Sequence, residues 1–136
     1  MEHHLTTYIT HDTLLSALGF GTQENLEAIR SYHSGITLQT DKRIADTPLL
    51  AATLSQERLQ QQAEAIGVSG YPRMEQLFIL TINELIRQSG QTLEDKTCGL
   101  ILSTTKGNID LLARHTEHPD EAGFLWKMAE IIAGYF

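Results

Sequence analysis

A layered α/β fold in one domain over residues 1–136 is what the sequence predicts, and three observations lead there. The first is a long amphipathic helix: Met74, Leu77, Phe78, Thr81, Ile82, Leu85 and Ile86 recur at helical spacing, with Arg73, Glu75, Gln76, Glu84 and Arg87 on the other side. Pro72 suits its first turn, because proline's fixed φ and missing N–H cost nothing there, and Gly90 marks its end. The second is the run Cys98, Gly99, Leu100, Ile101, Leu102, Ser103, short and continuously apolar, as expected for a strand covered on both faces. The third is size: 136 residues, 41% of them hydrophobic, suffice for a single packed core. A helix with an apolar stripe and a strand apolar on both sides need each other, so the helix over 72–89 is expected to pack on the strand over 98–103.

The remaining elements follow in chain order. Residues 5–10 (LTTYIT) are β-branched and aromatic and read as a first strand. A short helix opens at Thr22, with Thr22 available as N-cap, Leu26, Ile29 and Tyr32 on one face, and Gly35 beyond its end. Residues 36–54 show little periodicity around the turn signal Asp46-Thr47-Pro48, and read as a long irregular connection. Ser55 can cap a helix carrying Leu59, Ala63 and Ile66, stopped by Gly67. After 98–103, Thr104, Thr105, Lys106, Gly107 and Asn108 turn the chain into a helix beginning at Ile109, Leu111 and Leu112. A final helix carries Phe124, Leu125, Met128, Ile131, Ile132 and Tyr135, and no stop signal follows it before Phe136, so its stripe is expected to be exposed or to be covered by a second copy.

Composition excludes some partners. With 17 acidic and 10 basic side chains and no basic cluster, the charge of −7 repels phosphate backbones, so nucleic acid is not an expected partner. The apolar runs fall far short of the ~20 residues a bilayer span needs, and no signal-peptide core opens the chain, so a cytoplasmic protein without a membrane partner is expected. The single cysteine, Cys98, cannot form an internal disulfide and fits a reducing compartment.

Several of these landmarks, in order, resemble the N-terminal part of the β-ketoacyl-acyl carrier protein synthases of the thiolase-like superfamily. The opening strand, the turn Leu18-Gly19-Phe20-Gly21, the acidic helix from Thr22 and the Ser34-Gly35-Ile36 that follows are similar to that family's opening. Residues 74–90 resemble its helix ending in a small residue and glycine, CGLILSTTKGN (98–108) resembles its glycine-rich strand and turn, and 128–134 resembles the helix leading to its nucleophile strand. The resemblance implies the N-terminal part of a layered α/β/α fold. It implies an acyltransferase that condenses acyl and malonyl thioesters on acyl carrier protein, in fatty-acid or polyketide-type synthesis. It also implies a homo-oligomer or a partner subunit, and neither cofactor nor metal. The family's catalytic cysteine and two histidines lie C-terminal to the helix matched at 128–134. No catalytic residue is therefore assigned in this chain, which is expected to be inactive alone.

Candidate residues weigh accordingly. Cys98 heads an apolar strand rather than a strand-to-helix elbow, and is expected to be a small buried hydrophobe rather than a nucleophile. His115 and His118, with Glu117 and Asp120 nearby, have a metal-like spacing but are interrupted by Pro119, so a solvated turn is expected. His3, His4 and His11 read as part of a frayed terminus. By resemblance, Thr104, Thr105, Lys106 and Gly107 lie near the acyl pocket, and they are the candidate substrate-binding residues. Lys106 departs from the small or apolar residue that the family places there, so it must face solvent or find a carboxylate. A phosphate loop at this turn is disfavoured because the Walker glycine spacing is absent. Two alternatives stand beside the condensing enzyme: a partner subunit of the chain-length-factor kind that has lost the nucleophile, and a small α/β binding module with a closed monomeric fold.

Overall fold

The computed structural model describes residues 6–94, 97–112 and 121–136. In order, these form β1 (Leu15–Ser16), β2 (Gly19–Phe20), α1 (Thr22–Arg30), β3 (Ile36–Gln39), β4 (Leu49–Ala52), α2 (Gln56–Ala65), α3 (Arg73–Ser89), the single turn α4 (Ile109–Leu112), a 3-10 turn (Glu121–Gly123) and α5 (Leu125–Tyr135). Helix and strand both occur. Among the described residues the strands make two separate antiparallel pairs, β1 with β2 and β3 with β4, rather than one layered sheet.

Local chemistry explains the helix ends. The Ser55 hydroxyl accepts the Arg58 N–H at 3.2 Å and caps α2, as the sequence predicts. Pro72 sits just before α3 at φ −55°, and Gly90 closes it in the left-handed region at φ 65°, its N–H donating to the Ile86 carbonyl. Only a residue without Cβ reaches that region at little cost.

The core lies where α2, α3 and α5 meet. Ala63, Val68, Ile79, Met128 and Ile132 are fully buried, and Ile66, Met74, Phe78, Ile82, Leu102 and Tyr135 pack around them. Each buried Ile, Val or Met side chain contributes about 1.5–3 kcal/mol. The Tyr135 ring meets Tyr71 and Phe136 edge-on, with centroids 6.3 and 4.9 Å apart. The stripe of α3 therefore meets two helices, not a strand.

Several expectations are corrected. Residues 98–103 form neither helix nor strand; Cys98 is exposed, Ile101 is 96% exposed, and only Leu102 reaches the core. A strand needs a ladder, and none of the described residues pairs with this run. The same reason applies to 6–10, which is exposed and carries no strand; Leu5 lies outside the described residues. Conversely, the connection expected over 36–54 contains the β3–β4 hairpin, in the register Ile36↔Ala52, Thr37↔Ala51, Leu38↔Leu50 and Gln39↔Leu49.

Helix α1 buries Asn25 instead of its apolar face; Leu26, Ile29 and Tyr32 are exposed. Its cap is Gly21 rather than Thr22, whose hydroxyl donates to the Asp12 carboxylate at 2.7 Å. Glu75 and Gln76, assigned to the solvent side of α3, are buried. The stripe of α5 is partly covered within the chain, since Met128 and Ile132 are core residues, while Phe124, Leu125 and Trp126 stay exposed.

Candidate functional site

The turn over 104–108 is the site the sequence singled out, and its backbone is organised by one hydroxyl. Thr104 Oγ1 accepts the N–H of Lys106 at 3.3 Å and that of Gly107 at 3.0 Å. Gly107 is buried at φ 53°, a left-handed conformation that favours glycine, and a Cβ there would lie 2.5 Å from Leu125 Cδ2 on α5, whose exposed side chain would have to move aside. Thr105 and Lys106 form the exposed tip. The Lys106 ammonium therefore carries no burial cost, and the solvent-facing option is the one the chain adopts. With the amides of Lys106 and Gly107 already bonded to Thr104, the turn does not offer the open cradle of N–H groups that a phosphate loop requires.

Beneath the tip lies a polar pair that the sequence did not reveal. Asn108, 1% exposed, directs Nδ2 to both carboxylate oxygens of Glu75, at 2.7 Å to Oε1 and 2.9 Å to Oε2. Glu75 is 0% exposed in the first turn of α3. Burial raises its pKa above the ordinary carboxylate value, with the Asp110 charge adding to the rise; its own backbone N–H and Asn108 oppose it. The pair joins α3 to the turn, so Thr104, Thr105, Lys106 and Gly107 are positioned by a contact 33 residues away in sequence. The only sequence signal was an acidic residue on a helix flank, which ordinarily means solvent.

A second polar knot organises the N-terminal turn. Asn25 Nδ2 faces the carbonyls of Leu14, Gly19 and Gly21 at 3.0, 2.9 and 2.8 Å, and its Oδ1 accepts from the Ser16 hydroxyl. Glu24 takes the Phe20 N–H at 2.9 Å and pairs with Arg58 of α2, whose guanidinium also lies over the Phe20 ring, 4.7 Å from its centroid. The Arg58 hydrogen bonds, with the Phe20 N–H, hold the Glu24 carboxyl below its usual value. This pair fastens the β1–β2–α1 unit to the helical core.

The other candidates do not assemble. Cys98 is exposed, not the buried hydrophobe expected. His11 is exposed. His3, His4, His115, Glu117, His118, Pro119 and Asp120 lie outside the described residues. Among the described residues no three His, Cys, Asp or Glu side chains are placed to hold a metal ion, and no helix is long and apolar enough to cross a membrane.

No protein-family model, curated protein or solved structure matches the chain.

Proposed function

We propose that the chain is the N-terminal portion of a β-ketoacyl-acyl carrier protein synthase, contributing to a thiolase-like α/β/α fold. The ordered landmarks support this reading: the Leu18-Gly19-Phe20-Gly21 turn, the helix from Thr22, Ser34-Gly35-Ile36, the helix ending at Gly90, and CGLILSTTKGN. One observation carries it furthest. Residues 98–103 have the composition of a strand buried on both faces and lead into a turn fastened beneath α3, yet Leu100 and Ile101 are exposed and no described strand pairs with them. A sheet completed by further strands would cover them. Uncovered apolar side chains of this kind are what a missing layer would leave.

In the proposed enzyme a cysteine outside this chain takes the acyl group from one thioester, releasing the carrier thiol. Loss of CO2 from malonyl-acyl carrier protein then gives an enolate whose carbon attacks the acyl-cysteine, forming 3-oxoacyl-acyl carrier protein and freeing the cysteine thiolate. The turn of Thr104, Thr105, Lys106 and Gly107 would border the acyl chain, with exposed Lys106 at its mouth. The test is a condensation assay with acyl- and malonyl-acyl carrier protein, on this chain and on the chain extended through its following coding sequence. The expected result is no product from the first, and 3-oxoacyl product with CO2 from the second. An extended chain without a nucleophilic cysteine and without product would overturn the enzyme reading in favour of the non-catalytic partner subunit.

A further inference from the structure

Leu80, Asn83, Glu84 and Arg87 stand three and four residues apart, on a side of α3 that borders a cleft of about 330 Å³. Leu15 and Phe20 from the β1–β2 unit and Ala65 and Ile66 from the end of α2 form the other walls. The cleft is of the size of small-molecule sites, and its lining is mixed, with Leu15, Phe20, Ile66 and Leu80 beside Gln62, Thr81 and Asn83. Its charges are already matched: Arg87 donates to both oxygens of Glu84, at 2.8 and 2.6 Å, and holds that carboxyl at about 2. A charged ligand finds no free counter-ion there. What lacks a partner is Asn83, whose Nδ2 is buried without a hydrogen bond, a costly state for a donor. The terminal torsion of a carboxamide is soft, so a carbonyl presented in the cleft can draw this donor to itself.

We infer that this cleft binds a small uncharged molecule, its apolar body held between Phe20, Ile66 and Leu80 and its carbonyl oxygen accepting from Asn83. The site is separate from the 104–108 turn and does not rest on the condensing-enzyme reading. The test titrates the ¹⁵N-labelled full chain with acetophenone and with α-methylstyrene, which has the same shape with a methylene in place of the oxygen. Saturable shifts are expected at the Asn83 side-chain amide, Leu80 and Ala65, with the ketone binding about fivefold or more tightly than the hydrocarbon. Asn83→Asp, which keeps the size and removes the donor, should bring the ketone down to the hydrocarbon's affinity, and Ala65→Phe should block both probes. Absence of saturable shifts, equal affinity for the two probes, or an unchanged ketone affinity in folded Asn83→Asp would overturn the inference. Should Asn83→Asp fail to fold, the comparison of the two probes on the wild-type chain decides alone.

Discussion

Glu75 and Asn108 show how a single buried pair fixes a turn that composition leaves free. Because burial raises the Glu75 pKa above its unfolded value, the favourable contribution of the neutral acid is complete below the unfolded pKa and is lost as pH rises through the folded one. Glu75→Gln removes this titration, so wild type is expected to lose stability relative to the variant as pH rises from 4 toward 7, whatever the offset between them. Urea midpoints at each pH read the difference, and a flat difference would contradict the assignment. Asn25 offers a second test. Truncation to Ala leaves the carbonyls of Leu14, Gly19 and Gly21 and the Ser16 hydroxyl without their shared partner, so Asn25→Ala is expected to cost about 1–3 kcal/mol by denaturant unfolding. A loss below a few tenths of a kcal/mol would mean the turn is held by its backbone alone. Neither residue was legible in the sequence. Each is a polar side chain on a helix, and its burial depends on partners brought in by tertiary packing.

Elements were legible where the controlling chemistry is local. Ser55, Pro72 and Gly90 act within one helical turn of their own position: Ser55 caps the start of α2, Pro72 stands one residue before α3 rather than in its first turn, and Gly90 closes α3. Ser55→Ala should therefore destabilise the chain by about 0.5–2 kcal/mol with α2 helicity reduced, read by circular dichroism and thermal unfolding. An unchanged transition would show that packing of Leu59 and Ala63 alone fixes that helix start. Strands were less legible, because a strand is decided by its neighbour. Residues 6–10 and 98–103 have strand-forming composition and no ladder partner among the described residues, whereas Ile36–Gln39 and Leu49–Ala52, weaker in pattern, pair because the chain folds back between them. The same non-locality explains α1, whose apolar residues find no surface to cover while its Asn25 does.

For the whole molecule, the balance of covered and uncovered apolar surface bears on function. The α2–α3–α5 core is closed, but Ile36, Leu38 and Leu50 on one face of the β3–β4 hairpin, Leu100 and Ile101, and Phe124, Leu125 and Trp126 all remain exposed. On the reading proposed above, in which the chain is part of a larger layered fold, further strands would cover these residues. Amide hydrogen exchange over residues 99–103, compared between this chain and the chain extended through its following coding sequence, tests this claim most directly. The run should exchange nearly as fast as unstructured peptide in the present chain, and be protected by orders of magnitude once sheet partners are supplied. Equal exchange in both, or strong protection already in the present chain, would contradict it.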